Sequence, residues 1–251
     1  MDKPVYIVTG SSAGIGRACA EQLAAQGNRV VINYASREAE AQQVAEQCRA
    51  EGGEAVVVKA NVAQDADCRR LADTALETWG RIDGLVNNAG TTRFAAHHDL
   101  DALQADDFAD IFGVNVTGAY QMIRAVAPTM RQQGKGAVVN MSSIAGVKGV
   151  GSSVAYAASK GALNTLTLSL ARALGPEIRV NAVCPGFVET GWLKAGLGEN
   201  YERRRAAYAE STPLKDTVTP ADVAETVLWL LQGATKTTGQ LVLVDGGKHL
   251  G

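Results

Sequence analysis

The amino-acid sequence predicts a single α/β domain in which a doubly wound, parallel β-sheet is covered by helices on both faces. Three observations support this prediction. Short β-branched runs alternate with longer segments of helical periodicity along nearly the whole chain. A glycine-rich turn directly follows the first of these runs. The chain has 251 residues, 46% of them hydrophobic, which suffices for one full core, so we expect residues 1–251 to form one domain.

The first half of the chain contains four strand-like runs separated by three helix-like segments. Strands are predicted over residues 5–8, 29–33, 55–59 and 84–87, and helices over residues 17–26, 38–51 and 65–79. Gly27, directly after the first helix, is a typical helix stop. Because strands that alternate with helices are joined by right-handed crossovers, this order indicates a parallel sheet.

The second half continues the alternation with longer elements. We predict a long helix over 105–131, a strand over 137–141, a helix over 154–174 and strands over 178–184 and 240–244. Thr219 and Pro220 begin a further helix, because threonine caps helices and proline fits their first turn. Residues 186–213 are the least regular stretch, which in an α/β domain is typical of a lid over a site.

Composition and charge argue against several classes of protein. The 24 Lys and Arg residues are balanced by 26 Asp and Glu, a net charge of −2, so neither nucleic acid nor a membrane is expected as a partner. The four cysteines lack CxxC spacing and are predicted to be packing residues of a cytoplasmic protein. No signal-peptide pattern and no run of about 20 apolar residues is present. The three histidines lack metal-ligand spacing, so no metal site is predicted.

The turn after the first strand contains Gly10, Gly14 and Gly16 in the sequence TGSSAGIG. Glycines at a strand-to-helix turn let the backbone approach a diphosphate and direct helix N-terminal amides towards it. The GxxxGxG spacing differs from the generic GxGxxG pattern, and no Gly-Lys-Ser/Thr follows, which argues against a phosphate loop for ATP or GTP. The alternative is a tight turn that needs glycine only for its conformation. The position after the first strand favours the dinucleotide.

The end of the second strand indicates which dinucleotide is bound. Sites that prefer NAD usually have a carboxylate there, about 20 residues beyond the turn. This chain has NYASR over residues 33–37 instead, and Ser36 and Arg37 can bind a 2′-phosphate. NADP(H) is therefore favoured, with NAD(H) as the alternative. The alternative is that Arg37 is a solvated residue that begins the next helix, and Glu38 weakens the local positive field.

Tyr156 and Lys160 stand one turn apart on one face of the predicted helix 154–174. A nearby ammonium favours phenolate, so we expect Lys160 to lower the pKa of Tyr156 from about 10 towards working pH. Tyr156 could then act as a general acid for a carbonyl oxygen. Ser142 and Ser143 follow a strand at its carboxyl end, where open α/β sheets place ligands. A serine hydroxyl there can bond the same oxygen or cap the following turn.

Together these residues resemble the short-chain dehydrogenase/reductase family. The resemblance extends from about Val5 to Gly247 and rests on motifs in the family's order and spacing, namely TGSSAGIG over 9–16, NNAG over 87–90, Asn115, Ser143, Tyr156 with Lys160, and Pro185-Gly186. It implies a Rossmann-type fold and an NAD(P)(H)-dependent oxidoreductase that transfers a hydride between nicotinamide and a ketone or secondary alcohol. The pattern is most similar to bacterial ketoreductases that act on 3-oxoacyl groups of acyl carrier proteins.

The resemblance also implies roles for the catalytic residues. Tyr156 would be the acid/base, and Lys160 would lower its pKa and bond the nicotinamide ribose. Ser143, rather than Ser142, would orient the substrate carbonyl. Asn115 would hold a water molecule that links Lys160 to solvent.

A cofactor-binding set follows from the same resemblance. It comprises Gly10, Ser11, Ser12, Gly14, Ile15, Gly16, Tyr34, Ser36, Arg37, Asn61, Val62, Asn88, Ala89, Gly90, Tyr156, Lys160, Pro185, Gly186, Val188 and Thr190. Two positions depart from the family pattern. Asn61 replaces a common aspartate at the adenine contact but keeps an acceptor oxygen. Ala13 stands where NADP-preferring members often have Arg or Lys, so the NADP preference rests on Ser36, Arg37, Arg17 and the missing carboxylate.

The expected partner is a small carbonyl or alcohol substrate, with an acyl thioester as one option. The basic run 203–205 could receive an acidic carrier protein or could be a solvated helix face. The resemblance further implies a homotetramer in which helices 105–131 and 154–174 form one interface and the last helix and strand form another. The alternative function is a catalytically silent nucleotide-binding sensor or scaffold of the same fold. It is disfavoured because Asn115, Ser143, Tyr156 and Lys160 are all present.

Overall fold

A computed structural model describes residues 3–251. Its parallel sheet consists of β1 (Val5–Val8), β2 (Arg29–Tyr34), β3 (Glu54–Lys59), β4 (Gly84–Asn87), β5 (Gly136–Met141), β6 (Ile178–Pro185) and β7 (Leu241–Val244). The strands lie in the order β3-β2-β1-β4-β5-β6-β7. The order in which the strands are added to the sheet reverses between β1 and β4, and a ligand crevice forms at such a switch point beyond the carboxyl ends of the strands. The predicted doubly wound parallel sheet is confirmed.

Helices cover both faces of this sheet. They are α1 (Gly14–Ala25), α2 (Glu38–Ala50), α3 (Asp65–Trp79), α4 (Ala105–Phe112), α5 (Ala119–Gln132), α6 (Ala145–Lys148), α7 (Val154–Leu174), α8 (Gly191–Leu197), α9 (Tyr201–Glu210) and α10 (Pro220–Leu228). Helices α1, α2 and α10 contribute Leu23, Val44 and Val227 to the core on one face. Helices α3, α5 and α7 contribute Leu71, Met122 and Leu174 to the core on the other. All four cysteines are buried free thiols, as predicted.

The predicted long helix over 105–131 is two helices, α4 and α5, joined by a π-helical turn at Gly113–Gly118. Two contacts explain the break. Gly118 packs so closely on Val62 that a Cβ atom there would lie 2.8 Å from Val62 Cγ2. Asn115 uses its side chain outside the helix, on Thr91 and Ser159. Such π-turns are frequent at functional sites.

The segment 186–213 is more regular than the sequence indicates. It contains α8 and α9, joined by a 3₁₀ turn at Gly198–Asn200, so the expectation of an irregular stretch is wrong. Its glycines weaken the helical pattern, but Thr190 caps α8 by accepting a hydrogen bond from the Leu193 amide. Thr219 caps α10 as predicted, in a capping box with Asp222.

Candidate active site

The carboxyl ends of the strands open into one cleft of about 1820 Å³, and α8 and α9 form its far wall. Most of the predicted site residues line this cleft, namely Gly10, Ser12, Gly14, Ile15, Tyr34, Ser36, Arg37, Asn61, Val62, Asn88, Ala89, Gly90, Ser143, Tyr156, Lys160, Pro185, Gly186, Val188 and Thr190. Ser11, Gly16 and Asn115 do not line it, because they are buried behind its wall. The predicted catalytic and cofactor residues therefore meet around one cavity, apart from these three buried supports.

The glycine turn forms one end of the cleft. Gly10 and Gly14 have φ of +61° and +57°, a conformation that L side chains rarely adopt. Gly16 lies so close to Asn88 that a Cβ atom on this glycine would be 2.4 Å from the side-chain nitrogen of Asn88. Helix α1 begins at Gly14 with no acidic residue in its first turn, so its free amides and positive dipole end face the cleft. The turn therefore fits a diphosphate, which needs close backbone approach and amide donors.

Asn33 fixes the conformation of this turn. Its side-chain oxygen accepts a hydrogen bond from the Gly10 amide at 2.9 Å. Its side-chain nitrogen donates to the carbonyls of Ala60 at 3.0 Å and of Val58 and Tyr34 at 3.3 Å each. Only 2% of Asn33 is exposed. The amide thus joins the glycine turn to the ends of β2 and β3.

Ser11 braces the same turn from inside. Its hydroxyl donates to the Val8 carbonyl at 2.8 Å and accepts from the Asn33 amide at 2.9 Å. Thr9 adds a second brace, because its hydroxyl accepts hydrogen bonds from the backbone amides of Asn88 and Ala89, each at 3.0 Å. The side chains of Ser11 and Thr9 therefore hold the turn, which leaves backbone groups to face the cleft.

Ser36 and Arg37 lie at the rim of the cleft, beyond the end of β2. Both are exposed, and the Arg37 guanidinium makes no hydrogen bond or ion pair within residues 3–251. Arg17 lies outside the cleft lining, and its guanidinium pairs with Glu21 at 2.7 Å. Of the cations that the sequence suggests for a 2′-phosphate, Arg37 is thus the one available at the cleft.

Asn61 and Val62 form the adjoining part of the rim. The Asn61 side-chain oxygen accepts a hydrogen bond from the Ala63 amide at 3.1 Å, which fixes the loop after β3. Val62 is 5% exposed, and its carbonyl accepts a bond from Gln121 at 2.9 Å. These contacts fix the polar side chain of Asn61 and the apolar side chain of Val62 at the rim, where a flat base could lie between them.

Ser143, Tyr156 and Lys160 meet in the middle of the cleft. The Ser143 side chain lies close enough to the Tyr156 hydroxyl to influence its pKa. Lys160 places its ammonium 5.5 Å from the centre of the Tyr156 ring and donates to the Met141 carbonyl at 2.7 Å. Ser142 turns instead towards Asn164, with 2.6 Å between their side-chain oxygens. Two hydroxyls, from Ser143 and Tyr156, can therefore reach one substrate oxygen.

Burial dominates the acid-base properties of this group. It raises the pKa of Tyr156 to about 12, and the nearby Ser143 side chain offsets only part of that effect. Burial also lowers the pKa of Lys160 to about 8. The sequence predicted a Tyr156 pKa below the usual value, and the direction is the opposite. The Lys160 ammonium lies beside the phenol ring, but removal from water disfavours both charged forms more strongly.

Asn115 lies beneath the catalytic group, in the π-helical turn. Its side-chain oxygen accepts from the Thr91 amide at 2.8 Å, and its nitrogen donates to the Thr91 carbonyl and the Ser159 hydroxyl at 3.0 Å each. A Cβ atom on Gly90 would lie 3.4 Å from Asn115 Oδ1 and 3.7 Å from Lys160 Nζ. Gly90 therefore separates two polar groups that both approach the cleft.

The sequence missed three residues of this site. At the end of the second strand the sequence indicates a missing carboxylate, yet the polar Asn33 that ends the apolar run RVVIN is itself a signal. Phe94 and His97 lie in the loop after β4 and line the cleft, and the position beyond a carboxyl strand end was their only signal. His97 Nε2 is buried and has no partner within residues 3–251.

The fold and the cleft are those of a dinucleotide-binding oxidoreductase. Comparisons with known proteins identify its family. Residues 10–249 match the family model described as enoyl-(acyl carrier protein) reductase. A protein of Streptomyces violaceoruber, named as ketoacyl reductase 2 of the granaticin polyketide synthase, is 46% identical over 99% of this chain and 97% of its own. A 3-oxoacyl-[acyl-carrier-protein] reductase of Staphylococcus epidermidis is 35% identical over 97% and 98%.

A solved structure from Burkholderia xenovorans, described as a short-chain dehydrogenase/reductase, is 42% identical and covers all of both chains with a TM-score of 0.93. The chain belongs to the short-chain dehydrogenase/reductase family. It is an oxidoreductase that uses a nicotinamide cofactor to interconvert a ketone and a secondary alcohol. No comparison favours the alternative of a silent sensor or scaffold.

Two other classes of feature are absent from the described residues. Within 3–251, no three His, Cys, Asp or Glu side chains are grouped so that they could hold a metal ion. No helix of that range has both the length and the apolar character needed to cross a bilayer.

Proposed function

We propose that this protein is an NADP(H)-dependent reductase of 3-oxoacyl thioesters. The observation that carries the proposal is the pair of hydroxyls on Ser143 and Tyr156, which lie side by side next to Lys160 in a cleft whose rim presents Arg37. Relatives named as ketoacyl and 3-oxoacyl-[acyl-carrier-protein] reductases support the thioester class.

Each residue of the group has a distinct role in this proposal. Hydride chemistry comes from the nicotinamide cofactor that the family uses. Ser143 donates a hydrogen bond to the ketone oxygen and orients it. Tyr156 gives its phenolic proton to the same oxygen during reduction and removes a proton from the alcohol in the reverse direction. Lys160 binds the ribose next to the nicotinamide, and Asn115 helps to hold a water molecule through which the proton is replaced.

Different residues of the cleft bind different parts of the cofactor in this proposal. The glycine turn 10–16 binds the diphosphate, Asn61 and Val62 contact adenine, and Val188 with Thr190 binds the carboxamide. Ser36 and Arg37 bind the 2′-phosphate. Arg37 supports the NADP(H) preference because it lies at the cleft and its guanidinium forms no ion pair within the described part of the chain.

The family model's description raises C=C reduction as a second candidate reaction. Two hydroxyls that approach one point favour the ketone, because both can donate to its oxygen as charge develops there. In an enoyl thioester the charge develops on the thioester oxygen, three bonds from the carbon that receives the hydride, whereas in the ketone it develops on the oxygen bonded to that carbon. The ketone is therefore the substrate group that fits this site best.

We also propose that residues 186–213 act as a lid and that the chain forms a homotetramer. The lid is supported by α8, which lies at the cleft and is largely exposed. The tetramer is supported by exposed apolar side chains on the helices named for its first interface, such as Phe108, Tyr120 and Leu168. Light scattering coupled to size-exclusion chromatography measures the assembly directly, and a monomer at micromolar concentration would contradict it.

The test of the proposed function is a binding titration followed by turnover. NADPH and NADH are titrated by fluorescence, and the tighter cofactor is then supplied with acetoacetyl and crotonyl thioesters. We expect tighter binding of NADPH and oxidation of NADPH with acetoacetyl thioester only. Tyr156→Phe should abolish turnover while leaving the NADPH Kd nearly unchanged. Binding of neither nucleotide, or turnover of the crotonyl thioester alone, would refute the proposal.

A further inference from the structure

One side of the cleft carries an aromatic wall, which we define as Trp192 and Phe94. The ring centre of Trp192 lies 6.2 Å from that of Tyr156 and 5.9 Å from that of Phe94. The rings are tilted by 47° and 53°. Trp192 therefore lies between the phenol that acts on the ketone and a second aromatic side chain, at distances where tilted rings attract each other.

Contacts on both sides hold the wall in place. Gly196 of α8 lies against Phe94 so closely that a Cβ atom would be 2.0 Å from the ring. The loop that carries Phe94 is bonded to Ser152, through the Thr92 hydroxyl at 2.7 Å and the Ala95 amide at 2.9 Å. Because these contacts are made by the protein itself, a ligand does not have to order the wall.

Trp192 is nevertheless 42% exposed, and it faces a cavity rather than the outer surface alone. Covering the free part of an indole ring removes apolar surface from water, whatever the ligand. A flat aromatic ligand gains a further ring-to-ring attraction that a saturated ring of similar size does not. The wall therefore distinguishes ligands by the flatness and aromatic character of the part that lies next to the reacting ketone.

We propose that Trp192 is a specificity-determining residue that selects substrates with an aromatic or conjugated ring near the reacting ketone. The inference rests on the proposed function in one respect, because it requires the ketone to lie at Tyr156. Its centre-to-centre distance of 6.2 Å from the Tyr156 ring puts the selected ring within a few bonds of the ketone carbon. Phe94 supports Trp192 from behind and is a positioning residue for it.

Two substrates with the same reacting ketone test the proposal. They are the N-acetylcysteamine thioesters of 3-oxo-5-phenylpentanoate and 3-oxo-5-cyclohexylpentanoate. We expect Trp192→Leu to lower the ratio of their kcat/KM values, phenyl over cyclohexyl, by roughly three- to tenfold. Trp192→Phe should keep most of the wild-type ratio because it retains an aromatic face. A ratio that is the same in the wild type and Trp192→Leu overturns the inference.

Trp229→Leu is the matched control for this series. Trp229 is also about half exposed, at 51%, but it does not line the cleft. Its loss should leave the substrate ratio at the wild-type value. A change of the ratio as large as that in Trp192→Leu would show that the effect is general and would overturn the inference.

A binding measurement separates this inference from the proposed function. The phenyl thioester is titrated without cofactor, and tryptophan fluorescence is followed in the wild type, Trp192→Phe and Trp229→Phe. We expect quenching in the wild type and Trp229→Phe and its loss in Trp192→Phe. If neither thioester is reduced but quenching depends on Trp192, the proposed function fails and the aromatic site stands. If both are reduced and quenching survives in Trp192→Phe, the inference fails and the function stands.

Discussion

Replacing Asn33 by alanine should weaken both the fold and the cofactor site, and the two effects can be separated. Truncation removes the partner of the Gly10 amide and the donor to the Ala60 carbonyl. The Tyr34 carbonyl keeps a backbone partner, the Ala60 amide at 2.8 Å. Each buried group left unpaired costs about 1–3 kcal/mol, so the two together should lower the free energy of unfolding by about 3 kcal/mol. For a chain of this size, that corresponds to a Tm lower by about 6–12 °C.

The effect on cofactor affinity follows from the glycine turn. Without the Asn33 side chain, the Gly10 end of the turn loses a restraint that Ser11 and Thr9 do not supply, and it must be ordered when the diphosphate binds. Fixing the backbone of one residue costs about 1–2 kcal/mol. The NADPH Kd should therefore rise by about five- to thirtyfold, since each 1.4 kcal/mol corresponds to about a factor of ten.

Asn181 provides a matched control for this experiment. It is 1% exposed, accepts a hydrogen bond from the Gln240 amide at 3.0 Å and donates to the Thr237 carbonyl at 2.9 Å. It does not line the cleft. Thermal unfolding and a fluorescence titration with NADPH are measured for Asn33→Ala and Asn181→Ala. Similar Tm losses with an unchanged NADPH Kd in both variants would refute the link between Asn33 and the cofactor site.

Three further predictions concern charge and packing in the cleft. Because burial lowers the pKa of Lys160 to about 8, its ammonium loses a proton as the pH rises through that value. The kcat/KM for reduction should therefore fall above about pH 8, and a pH profile that is flat to about pH 10 would contradict this. Arg37→Ala should lower the preference for NADPH over NADH by about 10- to 100-fold, since a charged hydrogen bond contributes about 1.5–3 kcal/mol. The control Arg17→Ala should leave the preference unchanged in the same titrations. Gly196→Ala should reduce the phenyl-to-cyclohexyl ratio of kcat/KM with a small change in Tm, because the outer edge of the Phe94 ring moves to make room for the new methyl group. In the control Gly191→Ala, the added methyl group meets nothing within 4 Å, so the ratio should stay unchanged. Equal effects of the two substitutions would refute this account.

The sequence predicts those parts of the molecule that depend on local patterns. The alternation of β-branched runs and helical segments identifies the parallel sheet, and parallel strands place their carboxyl ends at one edge. Residues that follow strands, such as Ser143 and Gly186, are therefore expected near one another. The spacing of Tyr156 and Lys160 on one helical face is likewise a local property.

Features that depend on contacts between distant segments are outside the reach of these patterns. The break in the helix at Gly113–Gly118 comes from packing against Val62 and hydrogen bonding to Thr91, which lie elsewhere in the chain. The pKa of Tyr156 depends on how much surrounding structure removes it from water, and a pair of residues on one helix does not reveal that. The wall formed by Phe94 and Trp192 joins two segments about a hundred residues apart, whose proximity only the folded chain shows.

The two ends of residues 186–213 differ from the middle of this segment in a way that bears on how this enzyme could be altered. At the base, Phe187 lies against Tyr201 and Tyr208 at 5.7 and 5.4 Å, and Val188 pairs with Val218. Helix α8 has no buried residue and ends at Gly198, so it behaves as a short insert on a fixed frame. Exchanging α8 alone offers a route to new substrate ranges that leaves the nucleotide half of the cleft as it is. Substrate choice and cofactor choice can then be selected in separate libraries and combined afterwards.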